Sequence, residues 1–451
     1  MFAALRSLTY RRLYVAQIIA LAGTGLATVA LGLLAYDFAG ERAGQVLGTA
    51  LMVKMVAYVL VAPFASALVA NLPRRMVLVG ADVLRVAVAA ALPFVTATWQ
   101  IYVLVFVLQA ASATFTPTFQ SVIPDVLPDE GEYTSALSLS RLAYDLEAIV
   151  SPMLAAALLL VVPSSALFLG TSLGFVASAA LVLSCAIPAT GSGAASSGDS
   201  RGDAPRDGED AGEGRPFLER VRRGAVLFTR TPGLRPILAL NMAVAAAVSF
   251  VLVQTVVVAG AVLGLPESGV AWLLFANGAG SMAAAFALPT LLRHVPEGRI
   301  MLPSATVLAL AIAATPFALD AASLPAVVVL WVVIGVAWSS VETPVGRIIR
   351  RNVAGPDLPA AFAGQFSLSH ACWLLAYPLA GWLGAGRLDA AAWTLAAIAG
   401  AAAATAALLW WRADEGSAFR DPGGVAVDDS AEVTTVAPVD SAEGDAGAAR
   451  A

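Results

Sequence analysis

Residues 44–95 read GQVLGTALMVKMVAYVLVAPFASALVANLPRRMVLVGADVLRVAVAAALPFV, two apolar runs joined by Asn71-Leu72-Pro73-Arg74-Arg75. Each run is long enough for a helix to cross a bilayer, which takes ~20 residues, and the arginine pair assigns the loop between them to the cytoplasmic side. The pattern continues in both directions. Twelve apolar segments are found, at 13–36, 44–70, 76–95, 101–122, 136–162, 166–188, 236–263, 268–291, 300–319, 324–346, 361–383 and 390–411. Arginines in the gaps fall almost entirely in every second one: Arg6, Arg11 and Arg12, then Arg74 and Arg75, the stretch 201–235, Arg293 and Arg299, and Arg347, Arg350 and Arg351. Only Arg42 and Arg387 fall in the alternate gaps. The sequence therefore predicts an all-α membrane protein of twelve transmembrane helices with both termini in the cytoplasm.

Composition agrees. At 59% hydrophobic and 13% charged residues, with a mean hydropathy of +0.81, the chain lies far outside the range of a soluble domain. Its net charge of -5 comes from acids gathered at 199–213 and 414–445, while the loops beside the apolar segments are basic, so nucleic acid is not an expected partner. The first apolar run is too long for the core of a signal peptide and reads as an uncleaved helix.

Inventory removes several chemistries. Lys54 is the single lysine, between Val53 and Met55, so the Gly-Lys-Ser/Thr of a phosphate-binding loop is absent. The two histidines, His294 and His370, and the two cysteines, Cys185 and Cys372, have no spacing that suggests a metal site, a redox pair or a disulfide. Neither an enzyme nor a bound cofactor is expected.

The chain also repeats itself. Thr116-Pro117 is matched by Thr343-Pro344, 227 residues on, Pro152 by Pro378, 226 on, and the loop 71–75 by His294-Val295-Pro296-Glu297-Gly298-Arg299, about 223 on. Two six-helix pseudo-repeat bundles follow, at 1–188 and 235–412. Between them, 189–214 is rich in Gly, Ser, Ala and Asp and has no apolar face to bury, which suits a cytoplasmic linker running to 234. Phe217, Leu218, Val221, Ala225 and Phe228 recur at helical spacing opposite Glu219, Arg220, Arg222 and Arg223, so the linker should end in a short amphipathic helix on the inner membrane surface. The tail 413–451 is acidic and poor in apolar residues, as disordered segments are.

This organisation resembles the major facilitator superfamily. The family's loop after helix two is similar to Gly-x-Leu-Ala-Asp-Arg-x-Gly-Arg-Arg; here Ser66 to Arg75 keeps Leu68, Arg74 and Arg75, with Ala70 at the acidic position and Ser66 and Pro73 at the glycines. Leu78-Val79-Gly80-Ala81-Asp82-Val83-Leu84-Arg85 is similar to the Asp-x-x-Arg start of helix three in drug and siderophore exporters, a branch that includes macrolide-efflux and enterobactin-exporter-like proteins. The stretches Phe115-Thr116-Pro117 and Pro124 to Pro128 resemble the same branch. Its helix-five motif, Gly-x-x-x-Gly-Pro-x-x-Gly, is matched by Glu147 to Ala155, which keeps Pro152 and has Glu147, Ser151 and Ala155 at the glycine positions. The resemblance implies two bundles that rock about a site near the membrane midplane, and export against protons.

Ionisable residues within apolar segments are the sharpest site candidates, since each costs at least ~2.5–3.5 kcal/mol at the bilayer centre unless paired or hydrated. Lys54 and Glu147 both fall near mid-depth. They read either as a static buried ion pair or as a proton-coupling pair facing a central cavity, with Glu147 flanked by Tyr144 and Ser151. Asp145 is a further proton-coupling candidate and also sits one turn from Arg141. Arg74, Arg75, Asp82, Arg85, Glu342 and Arg347 are candidates for gating and inner-loop bridges: Asp82 with Arg85 at i,i+3, and Glu342 with Arg347 and Arg350. His370 reads as a packing histidine.

Gln17, Gln109, Asn241, Gln254, Asn277 and Gln365 are the uncharged polar candidates for a substrate path, with aromatic neighbours such as Tyr58, Phe115, Trp338 and Trp373. The expected function is proton-coupled export of small amphipathic compounds by a monomer in the cell membrane. Two alternatives stay open: a proton-coupled importer of a small polar nutrient, and a non-transporting membrane scaffold or sensor.

Overall fold

The computed structural model describes residues 3–68, 72–127, 129, 132, 136, 139, 140, 143, 147, 150, 151, 153–185, 217–353 and 357–418. Helices carry almost all of them. The first half contains α1, Leu8–Ala39, α2, Ala43–Leu68, α3, Arg74–Ala91, α4, Thr98–Val126, and α5, Ser164–Leu183. After α6, Phe217–Arg230, come α7, Arg235–Val257, α8, Glu267–Leu291, α9, Gly298–Asp320, α10, Leu324–Glu342, the short α11, Val345–Asn352, α12, Leu358–Leu383, and α13, Leu388–Ala418. The described residues from 132 to 158 are helical up to Leu158.

Local chemistry sets the boundaries. The Ser7 hydroxyl accepts from the Tyr10 N–H at 3.3 Å and caps α1, whose far end stops at Gly40, where φ is +55° and a side chain would be strained. Ser323 caps α10 in the same way, with Pro325 in its first turn. Pro344 follows α10 and opens α11, whereas its repeat counterpart Pro117 lies inside an unbroken α4. One proline interrupts and the other does not, so the two halves are similar in sequence but not superposable in detail.

Nine stretches among the described residues are long and apolar enough to cross a membrane, and the first, Leu8–Val59, holds α1 and most of α2. Large apolar side chains point outward: Phe286 is 76% exposed and Leu173 68%. That inversion of a soluble protein's surface is what lipid solvates. The chain is a multi-pass membrane protein.

Within the first half, α1 packs on α5 and α2 on α4, with α3 between α4 and α5; within the second, α8 packs on α10, and α7 and α9 on α13. The halves meet chiefly through α2 against α12. Contact there depends on missing side chains, because a Cβ on Gly48 would lie 2.7 Å from the Tyr377 carbonyl and 3.0 Å from the Gly381 Cα. Trp382 on α12 reinforces it by donating its indole N–H to the Thr49 hydroxyl at 2.9 Å. These contacts lie at the end of the bundle where Glu41, Asp320, Arg387 and Asp389 surround a cavity of about 300 Å³. There the halves are closed on one another.

At the segment expected to form an amphipathic helix, α6 packs against α12, with Gly224 on Gly364 and Phe228 fully buried. Residues 186–216 and the tail from 419 lie outside the described residues.

Candidate functional site

Glu147 lies where three helices converge. Its segment packs against α1 at Gly25, whose absent side chain makes the room: a Cβ there would sit 2.8 Å from Glu147 Oε1 and would overlap the Ser151 side chain. Ser151 is one helical turn from Glu147, and its hydroxyl is buried with no hydrogen-bond partner among the described residues. Lys54, on α2, is within electrostatic range of Glu147, and no bridge within 4 Å joins them. Both side chains are partly exposed. A carboxyl in this setting has an opposite charge nearby but is not locked to it, which is what reversible protonation requires.

The cluster reaches the second half through His370 on α12. Lys54 acts electrostatically on His370, and the Tyr58 ring, one turn beyond Lys54, stands 6.1 Å from the imidazole. His370 stacks on Phe366 at 3.9 Å, with Nδ1 2.7 Å from the Phe366 carbonyl; donation from Nδ1–H would leave Nε2 as the acceptor. The packing role read from sequence thus comes with a position at the seam between the halves.

Asp82 and Arg85 pair with each other and are buried inside the first half, at 0% and 3% exposure. Asp82 also accepts from the Ser178 hydroxyl on α5 at 2.8 Å. The Arg85 guanidinium lies over the rings of Phe115, 4.3 Å away, and Phe175, 4.6 Å away. Their i,i+3 spacing announced the pair, but the depth of the pair was set by helix rotation, which spacing alone does not give.

The other charged candidates act within one half. Arg74 bridges Asp125 at the end of α4 and donates to the Ser121 carbonyl at 2.8 Å. Arg75 and Arg12 donate to the Leu183 and Ser184 carbonyls, capping α5. Arg347 faces Glu297 at 3.5 Å, and Glu342 comes within electrostatic range of Cys372 on α12. Arg351 joins Glu297 at 3.2 Å. Burial alone would raise the Glu297 carboxyl, but its backbone hydrogen bond and the two guanidiniums outweigh that and hold it below the usual carboxylate range. Glu297 was missed in the sequence, although it occupies the loop that repeats 71–75.

Most of the uncharged candidates are spent on packing. Asn241 and Gln365 pair across α7 and α12 at 3.3–3.4 Å, Gln254 donates to the Ala380 carbonyl at 2.6 Å, and Asn277 donates to the Trp331 carbonyl at 3.0 Å. Gln109 is buried with its amide oxygen unpartnered among the described residues. Gln17 lines a small cavity, with its oxygen taken by the Ser140 hydroxyl at 3.2 Å. Asp145 and Pro152 lie outside the described residues.

The family model of the Major Facilitator Superfamily matches residues 13–344. None of the curated proteins matches the chain. Among solved structures, a bacterial homolog of the human lysosomal transporter Spinster, in an inward-facing and unoccupied conformation, is similar at 14% identity and TM-score 0.66, over 91% of this chain and 97% of that one. The POT family transporter PepTSo gives 10%, 0.66, 91% and 99%, and the nucleoside transporter NupG 12%, 0.61, 92% and 99%. At such identities the likeness is one of fold.

Proposed function

We propose that this chain, which belongs to the Major Facilitator Superfamily, is a secondary active transporter that exports small amphipathic compounds in exchange for protons. One observation carries the reading: Glu147 is held by Gly25 and Ser151 inside the bundle, within range of Lys54 but not clasped by it. Protonation of Glu147 removes the charge facing Lys54, and the bundle can then change shape without dragging a bare carboxylate through a dehydrated centre. Release of that proton restores the pair. Substrate moving out while protons move in follows from coupling both to the same rocking motion.

The chain crosses the cell membrane twelve times, with 1–188 and 235–412 as the two bundles, 189–234 as the cytoplasmic linker and 413–451 as a cytoplasmic tail. In that orientation the closed Arg387 end faces outward and the structure is the inward-facing state. Arg74, Arg75, Glu297, Arg347 and Glu342 shape the cytoplasmic mouth. The protein works as a monomer, as a carrier and not an enzyme, and its likeness to the exporter branch rests on Asp82, Arg85 and the helix-five Pro152.

The test is reconstitution. Vesicles holding the purified protein and a trapped pH indicator are presented with compounds first identified by growth protection of an efflux-deficient host. Proton movement opposite to compound movement supports the reading. Movement in the same direction would favour uptake of a nutrient, and no compound-dependent flux would leave the scaffold reading.

A further inference from the structure

α9 and α13 pack antiparallel, from the closed end with Asp320 and Arg387 to the other end of the bundle, where a Cβ on Gly298 would lie 2.7 Å from the Trp410 ring. Guanidiniums gather around Gly298. Arg293 and Arg299 flank Glu297 in the sequence leading into α9, and Arg347, Arg350 and Arg351 share one face of α11 at i, i+3 and i+4, with Val345, Ile348 and Ile349 buried on the other. The contacts of Glu297 with Arg347 at 3.5 Å and Arg351 at 3.2 Å bring the turn and the helix together. All five arginines are exposed.

This face carries more cation than its own acids balance. In the matching loop of the first half, Arg74 is bridged to Asp125 and Arg75 donates to the Leu183 carbonyl. In the second half, Arg293, Arg299 and Arg350 form no salt bridge among the described residues, and Glu297 is engaged by the other two. Even with Asp357, in the turn that follows α11, guanidiniums outnumber carboxylates. Like charges held this close repel, so an added anion would relieve the face.

The chain delivers such an anion to the same place. α13 runs on from Trp410 to Ala418, about 12 Å further at 1.5 Å per residue. Residues 419–451 hold seven carboxylates, Asp428, Asp429 and Glu432 among them, against Arg420 and Arg450. Asp428 is ten residues past Ala418, and an extended stretch of that length spans up to ~35 Å, enough to turn back to Gly298.

We infer that the acidic tail docks on this arginine face, with Asp428, Asp429 and Glu432 meeting Arg293, Arg299 and Arg350. Exposed ion pairs are weak one by one, but a tethered segment meets its site at millimolar effective concentration, and several pairs then act together. The interaction holds whichever way the carrier moves its substrate.

Spin labels test it in the full-length protein in nanodiscs of phosphatidylcholine, at Ser430→Cys in the tail and His294→Cys beside Arg293, with Cys185 and Cys372 replaced by Ala. At ~0.01 M salt the label at 430 should tumble slowly and give one short distance to 294; at ~1 M salt, where the Debye length is about 3 Å, both signs should be lost. Arg293→Gln, Arg299→Gln and Arg350→Gln together should lower the docked-to-free ratio about tenfold at low salt. Asp428→Asn, Asp429→Asn and Glu432→Gln together should do the same while leaving the helices untouched, so the result does not depend on how the arginine variant folds. A tail label that tumbles freely at low salt, docking that survives high salt, or docking indifferent to either set of substitutions would overturn the inference. Release of the tail at low salt when phosphatidylserine replaces part of the lipid would also overturn it, because the face would then belong to lipid headgroups.

Discussion

Glu297, in the turn before α9, meets Arg351, at the end of α11, at 3.2 Å. The first half contains the same bridge with its charges exchanged, since Arg74 and Asp125 occupy the positions 223 and 226 residues earlier and pair with each other. The duplication has kept the contact and not the residues. Each bridge ties the start of one helix to the end of another within one half.

The bridge at Glu297 makes an asymmetric prediction. Arg347 and Arg351 are more than half exposed, whereas the Glu297 side chain is 8% exposed. Glu297→Gln should therefore cost less than about 1 kcal/mol, because the arginines return to water. Removing both arginines leaves a covered carboxylate without cations and should cost more, about 1–3 kcal/mol. Thermal unfolding in detergent ranks the two.

The same carboxyl sets a pH dependence. Its folded value is held below the ordinary 4.5, so its contribution is complete above that value and is lost as pH falls through the depressed one. The stability gap between wild type and Glu297→Gln should stay constant at about pH 6–8 and close only in acid. A gap that shrinks near neutrality would contradict the assignment.

Gly25 should tolerate no side chain while Ser151 keeps its own. Gly25→Ala places a Cβ on the Ser151 side chain and should lower stability by about 1–3 kcal/mol, as overpacking does. Ser151→Gly in the same protein should recover most of the loss. No recovery would mean that Gly25 matters for some reason other than this contact.

Trp382→Phe removes the one donor of the clasp to Thr49 and keeps the ring. Loss of about 1 kcal/mol should shift the population away from the closed Arg387 end by about fivefold. Spin labels on Glu41→Cys and Arg387→Cys, with Cys185 and Cys372 replaced by Ala, report it: their short distance should lose population to a longer one.

The described helices and their approximate ends were largely legible, because apolar length and the polar gaps between segments act locally. Two features of the site were legible for the same kind of reason: depth along a helix placed Lys54 and Glu147 on a level, and spacing joined Asp82 to Arg85. Rotation was not legible. It turned Asp82 and Arg85 into the bundle and spent Asn241, Gln254, Asn277 and Gln365 on neighbouring helices. Gly25 carried no chemical signal at all, since its function is to be absent beside Glu147.

Orientation has its own test. A cysteine at Ser196→Cys should react only with reagents applied from the cytoplasm, and one at Ser164→Cys only from outside, in a protein lacking Cys185 and Cys372. Both sites on one face would overturn the twelve-crossing topology.

The most direct test of the account is gradient-driven transport by Glu147→Gln in vesicles, using a compound the wild type carries. Glutamine keeps nearly the same volume and hydrogen-bonding capacity and removes the titrating charge. The account predicts loss of uphill accumulation under a proton gradient, with concentration-driven exchange of labelled for unlabelled compound retained, because exchange without net proton movement does not require the carboxyl to cycle. A Glu147→Gln protein that builds the full proton-driven gradient would contradict it.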